Sequence, residues 1–344
     1  MKKIARIIAA VAVLLCSCKK KAKDEAKIQE VNVYTHRHYP PDQELFAQFE
    51  QHTGIKVNVV NASADELIQK MQLEGPTSPA DVLITVDAGR LVRAKEKELL
   101  QSIESPFLDS IIAPHLKDEE KQWFALTKRA RVIAYAKDRI DPEQLSTYED
   151  LASDTWKAKL LIRSSSNIYN QSLMASLIAN LGEEKSKEWA QKIVENMARD
   201  PKGNDRDQVK AVVAGEGDLA IVNTYYIGRM INSEDAVEAN AGKGVGIYFP
   251  NQNDRGTHMN ISGAGVAKYA PNRENAIRFI EFLASGEAQL VFAEANYEYP
   301  VNQNVDPAPL LQSWGSFKED QLNLSELGTN NKAAVLLFDD VGWQ

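Results

Sequence analysis

The residues best able to do chemistry in this chain are tyrosines that stand at the ends of strand-like runs. The run "GDLAIVNTYYIGRM" (217–230) begins with strand character and ends in Tyr225 and Tyr226 side by side. Neighbouring side chains of a strand point to opposite faces, so two adjacent phenols could not serve one site there. In the first turn of a helix, neighbours stand about 100° apart and both can lean over the helix start. Asn223 and Thr224 can each cap such a helix, which puts the pair just inside a helix that begins where "DLAIV" stops. His38 with Tyr39, and later Tyr169, occupy similar turns. Ligands of open α/β sheets collect beyond the carboxyl ends of strands, so these distant tyrosines are placed to converge in one cleft.

Several phenols around one point suit a hard cation. A free phenol has a pKa of about 10, so a phenolate at neutral pH needs strong positive charge beside it. Ferric iron supplies that charge, because a bound cation can deprotonate its own ligands. Phenolate oxygen is an anionic, hard donor that fits it. Zinc would call for cysteine or histidine clusters, which are missing. Tyrosinate also ligates haem iron, but no haem-attachment motif is present. Three phenolates neutralise Fe³⁺; a fourth leaves one surplus negative charge that a nearby arginine could offset. A lone tyrosine is ordinarily a packing residue, and Tyr34, Tyr135, Tyr148, Tyr248 and Tyr269 read that way. Asp87, ending "LITVD", either stands behind the ligands or caps the next helix. Asp42 and Glu44 fit a helix first turn, and His52 a helix C-terminus, without further function.

The 344 residues, 26% of them charged, allow a large core and two lobes. Residues 1–17 read as a signal peptide, with Lys2, Lys3 and Arg6 ahead of an apolar run too short to span a bilayer. "LCSC" (15–18) resembles a bacterial lipobox in which Ser17 precedes a lipidated Cys18. Cys16 then leaves with the signal, and the folded part holds no disulfide. Residues 18–29 form a polar tether to the membrane. The formal charge of −8 becomes −11 once the three basic signal residues are gone. Phosphate repulsion makes so acidic a chain a poor binder of nucleic acid. No P-loop, GxGxxG, HExxH or CxxC occurs, and no Ser/His/Asp or paired-carboxylate pattern stands at strand ends, so an enzyme is not expected.

Strand and helix patterns alternate from residue 31 onward. "VNVYT", "IKVNVVNA" and "ADVLITV" are strands separated by the helices "PPDQELFAQFEQHTG" and "ADELIQKMQLEG". "WFALTKRARVIAYAKD" (123–138) is a long strand with a basic cluster inside it. "LLIRSSSNIYNQSLMASLIANLG" (160–182) repeats the strand–turn–helix design, with Asn167 and the serines as caps. The class is α/β with mostly parallel sheets flanked by helices. With no long linker, the chain is expected to pass back and forth between lobes. The divisions are 30–128 with 258–300 for the first lobe and 129–257 with 301–344 for the second. "TKRARV" and "DRGTHMN" serve as hinge strands.

"YTHRHYPPDQELFAQFEQHTGIKVNVV", "PADVLITVDAGRL", "LTKRARVIAY", "SSSNIYNQSLMASLI", "GDLAIVNTYYIGRM" and "NISGAGVAKYAPN" together resemble the bacterial ferric-iron-binding proteins of ABC uptake systems. The resemblance covers nearly everything after the tether, and "NTYY" is its most specific motif. It implies a type II periplasmic-binding-protein fold whose two lobes close over Fe³⁺ for delivery to an ABC permease. Its metal ligands fall on His38, Tyr39, Tyr169, Tyr225 and Tyr226. Members of the tyrosine-rich branch place an arginine of the "RAR" segment near the iron, which points to Arg129 or Arg131. Family members differ in whether the histidine ligates and in whether a synergistic anion completes the shell. His36 lies outside the motif and reads as a surface residue. The implied setting is a monomer in the periplasm or on the cell surface. The competing reading keeps the fold and exchanges iron for an oxyanion or a small organic solute.

Overall fold

The computed structural model describes residues 29–344. The expected signal peptide, Cys18 and the expected tether up to residue 28 lie outside the described residues. The chain opens with strand β1 (Glu30–Thr35), helix α1 (Pro40–Thr53) and β2 (Lys56–Asn61), with β2 parallel to β1. Pro40 and Pro41 start α1, where no backbone donor is needed, and Gly54 ends it at φ 71°, the left-handed conformation that glycine adopts without steric cost. Helix α2 (Ala64–Glu74) is entered through Ser63, whose hydroxyl accepts from the Glu66 amide. It leads to β3 (Val82–Thr85), buried along its whole length beside β1. Helix α3 (Ala88–Glu96), β4 (Leu100–Gln101) and helix α4 (Pro106–Ile111) follow, and farther along come α5 (Ile168–Leu181), α6 (Glu183–Asn196), α7 (Asp205–Ala214) and α8 (Thr224–Ile231).

Two strands join the halves of the molecule. β5 (Phe124–Ala136) runs 13 residues. β6 (Leu160–Leu161), β7 (Leu219–Asn223), β8 (Val245–Tyr248), β9 (Met259–Ala267) and β10 (Tyr299–Pro300) complete the set. The sheet order is β2-β1-β3-β9-β5-β7-β6. The first half of β5 pairs with β9 and the second half with β7 and β8. Parallel pairing, the pattern expected of alternating strands and helices, occurs between β1 and its neighbours and between β6 and β7. The shared strands β5 and β9 run antiparallel to every neighbour, so the sheet is mixed.

The apolar interior is divided accordingly. One core contains Val31, Val33, Phe49, Leu83, Phe124, Leu126 and Ile261. Alternation along β5 then sends Ile133 to a second core, with Trp156, Leu173 and Phe338, while Val132 and Ala134 enter a third on the opposite face. Leu324 and Leu327 pack in the first core, and Ala334, Leu337 and Phe338 in the second. The C-terminal segment thus touches both halves, because the short helix Glu326–Thr329 buries Leu327 in the first core. Tyr34 and Tyr148 are core residues as expected, whereas Tyr269 is 47% exposed.

Candidate functional site

Three turns bring the tyrosines together. The first follows β1: Tyr39 sits just before α1, where its backbone amide donates to the Asp42 carboxylate at 3.2 Å. The second precedes α5 (Ile168–Leu181), where the Asn167 side chain accepts from the Tyr169 amide at 3.1 Å, the cap expected of it. The third follows β7, where α8 (Thr224–Ile231) begins one residue before the tyrosine pair. Asn223 occupies the capping position of α8 but makes no capping bond. Its side-chain oxygen instead accepts from Arg131, and the Thr224 hydroxyl accepts from the Ala130 amide, so β5 rather than a local cap holds this helix start. Gly228 lets the other side of α8 close down, since a Cβ there would lie 2.6 Å from that of Tyr297.

The phenols meet at the mouth of these turns. The Tyr169 and Tyr225 hydroxyls are 3.2 Å apart, the Tyr225 and Tyr226 rings stack at 4.2 Å, and Tyr39 lies edge-on to Tyr225 at 6.4 Å. His38 stacks on Tyr39 at 5.4 Å with its imidazole exposed to solvent. Tyr169 and Tyr225 are almost fully buried, while Tyr39 and Tyr226 are half-buried. Outside them lies a cavity of about 300 Å³ lined by His36, His38, Tyr39, Tyr169, Tyr226, Arg206 and Arg229. His36 is therefore not the surface residue expected. It is half-buried in this wall, and its Nδ1 is buried without a partner.

The electrostatics single out one arginine. Arg129 and Arg131 are two residues apart on β5 and share a face of the strand. Arg131 is neutralised by Asp205 at 2.8 Å and also donates to Asn170. Arg129 has no carboxylate within salt-bridge distance among the described residues; it donates to the Val86 carbonyl and to the Ser262 hydroxyl, and its guanidinium stands 5.3 Å from the Tyr169 ring centre. Burial, then the neighbouring phenols, push Tyr169 and Tyr225 well above the ordinary phenol range, and Arg129 opposes that rise at both. Burial and Glu298 raise Tyr39 in the same sense, against Arg37. Unaided, these groups stay protonated, so they become anionic only when a strong cation displaces their protons.

Other residues frame the site. Arg37, unremarked in the sequence, is buried under Tyr39 and bonded to Asp42, Glu298, Ser262 and Thr127. Burial works against its charge, and Asp42 and Glu298 more than offset that. Asp42 thus does more than favour a helix start: it anchors the first tyrosine turn. Asp87 makes no capping bond to α3. Its carboxylate accepts from Ser172 on α5 at 2.6 Å and from Asn260 on β9 at 2.8 Å, which ties the two halves together behind the phenols. No hint of Arg37, Glu298, Asp205, Arg206 or Arg229 was available from spacing. The one usable signal was the charge of "HRHY" beside an aromatic turn.

Among the described residues no three or more His, Cys, Asp or Glu side chains gather as a metal site, so phenol oxygens are the donors this cleft offers in number. No described helix is long and apolar enough to cross a membrane. Comparison with known proteins agrees with the geometry. Residues 34–290 match the family model for bacterial extracellular solute-binding proteins. Iron uptake protein A1 of Synechocystis is 49% identical over 92% of this chain and 88% of its own length. A Trichodesmium protein solved in complex with iron and citrate superposes with a TM-score of 0.89 at 51% identity, covering 92% of this chain and all of that one. The ferric binding protein of Campylobacter jejuni gives 0.87 at 45% identity, over 91% of this chain and all of its own.

Proposed function

The chain belongs to the bacterial extracellular solute-binding proteins, and on that premise we propose that it is an extracytoplasmic receptor that binds ferric iron and delivers it to an ABC permease. The metal is held by the phenolates of Tyr39, Tyr169, Tyr225 and Tyr226, with His38 swinging in from the exposed edge of the turn. A synergistic anion such as citrate has room in the adjoining cavity, whose Arg206 and Arg229 supply positive charge. The observation that carries this reading is the convergence of four phenols from three turns beside an arginine with no carboxylate partner among the described residues.

Each part then has a job. The phenols exchange protons for Fe³⁺. With four of them ionised, the loaded site carries one surplus negative charge, and Arg129 offsets it. Arg37 and Asp42 hold the first turn, and Asp87 with Ser172 holds the halves closed over the cargo. Closure proceeds by bending at β5 and at the start of β9, the two strands shared by both cores. A lipid on Cys18 keeps the receptor, a monomer, near its permease at the membrane.

Addition of ferric citrate to the purified apoprotein tests the proposal. A phenolate-to-iron charge-transfer band in the visible region is expected. A colourless protein under saturating ferric citrate would refute it in favour of an organic solute.

A further inference from the structure

Asp205 opens α7 (Asp205–Ala214) and is fully buried. One of its oxygens accepts from Arg131 Nη1 and from the backbone amide of Asn223, both at 2.8 Å. The other accepts from Arg163 Nη1 at 3.2 Å. Arg131 reaches on to the side-chain oxygen of Asn223 at 3.3 Å and to that of Asn170 at 2.8 Å. Asn170 in turn donates to the carbonyls of Arg163 and Ser164.

These contacts have a common geometry. Asn223 stands two residues before Tyr225, at a helix start that has no side-chain cap of its own. Asn170 follows Tyr169 directly. Strand register sets Arg131 opposite Asn223 across the β5–β7 ladder, so both helix starts are referred to one point on the crossover strand. A single carboxylate closes that network. It also neutralises the buried guanidinium of Arg131 and the half-buried one of Arg163, each 5.8 Å from the Tyr169 ring centre.

We infer that Asp205 is a positioning residue of the ferric site, which sets the mutual placement of Tyr169 and the Tyr225–Tyr226 pair through Arg131, Asn170 and Asn223. The inference rests on the ferric reading above. Other anionic side chains near the cleft act on one element each or across the halves: Asp42 anchors the first turn, and Asp87 bonds Ser172 and Asn260. Among them Asp205 reaches both tyrosine turns of the second half, the Asn223 turn directly and the Asn170 turn through Arg131.

Asp205→Ala and Asp205→Asn are compared with the unaltered protein and with Asn196→Ala. Asn196 is buried and bonded to the Leu151 and Ser153 carbonyls, so the last variant loses stability without reaching a tyrosine turn. Readouts are thermal midpoint, position of the visible band with ferric citrate, and iron affinity against a competing chelator at fixed pH. Asp205→Ala is expected to bind iron at least tenfold more weakly with a displaced band. Asp205→Asn, which keeps acceptors for Asn223 and Arg131, is expected to retain the band position and lose less than half of that affinity change on a logarithmic scale. Asn196→Ala should lower the midpoint and leave band and affinity alone. An Asp205→Ala protein with the native band and affinity, altered only in midpoint, overturns the inference. So does an Asp205→Asn protein as impaired as the alanine variant, since charge rather than placement would then be at stake. If the alanine variant does not fold, the asparagine variant decides: a native band with modestly weaker binding supports placement, and a displaced band refutes it. Absence of any band in the unaltered protein would instead sink the ferric reading itself.

Discussion

Replacing Arg129 by glutamine removes one charge from a site whose own charge changes on loading. In the proposed ligand set, four phenols give up four protons and gain three metal charges, so the loaded site would be more negative than the empty one by a single charge. The Arg129 guanidinium is 5.3 Å from the Tyr169 ring centre and has no carboxylate partner among the described residues. At that separation and an effective dielectric of about 20, one unit pair is worth about 3 kcal/mol. That corresponds to about a hundredfold in affinity at fixed pH. The lost bonds to Val86 and Ser262 should cost stability as well, about 1 kcal/mol each, which is read separately as a drop in the urea midpoint. The assay is an iron titration against a competing chelator, with the visible band confirming that phenolate ligation persists. Arg131→Gln is the companion. It breaks a buried pair with Asp205, so it should cost folding about 3–5 kcal/mol and, because Arg131 ties Asn170 to Asn223, displace the visible band as well. An Arg129→Gln protein that binds iron within twofold of the native affinity would refute the charge argument, even if its stability had fallen.

Tyr225→Phe and Tyr226→Phe should each reduce iron affinity by orders of magnitude and alter the visible band, whereas Tyr34→Phe, which loses only a bond to Glu74, should cost about 1 kcal/mol of stability and no iron binding; the same chelator titration separates them. Ser172→Ala removes the 2.6 Å bond to Asp87 that links the halves, and iron release measured by stopped-flow chelation should quicken by about tenfold with the band unmoved, a rate equal to the native one counting against a latch. His258 is buried, and that burial, with Arg131, Arg255 and Arg129 nearby, pushes its imidazole down to about 3. The unfolded chain takes up that proton near pH 6.5 and the fold does not until about 3, so stability is complete above 6.5 and falls as pH drops, by at most about 1.4 kcal/mol per pH unit. Urea midpoints of apoprotein at pH 7 and 5 should therefore converge in a His258→Gln variant, and an undiminished difference would show that other groups carry the acid sensitivity.

Local chemistry accounts for how much was legible beforehand. Tyr225 and Tyr226 were readable because a strand cannot aim two neighbours at one point and a helix start can; the rings do stack, at 4.2 Å. Gly54, Asn167 and the buried run of β3 were readable because caps and burial leave marks within a few residues. Asn223 was placed correctly at the start of α8 but not as a side-chain cap, because Arg131 competes for its oxygen from another strand. His36 was misplaced because exposure is not a local property: the same turn that exposes His38 folds His36 into the cavity wall.

Thus the residue pattern alone determined the alternation of strands and helices, the turns that carry phenols, and a donor set suited to a hard trivalent metal. It could not choose between Arg129 and Arg131, which share a strand face and differ in nothing local. Asp205, 74 positions beyond Arg131, pairs with Arg131, while Arg129 has no carboxylate within salt-bridge distance among the described residues. Likewise Arg37 meets Glu298 across 261 positions, and Asp87 meets Ser172 across 85. A buried charge is tolerable only where its partner is brought within bonding distance, and that distance is a property of how the strands cross, not of any segment read by itself.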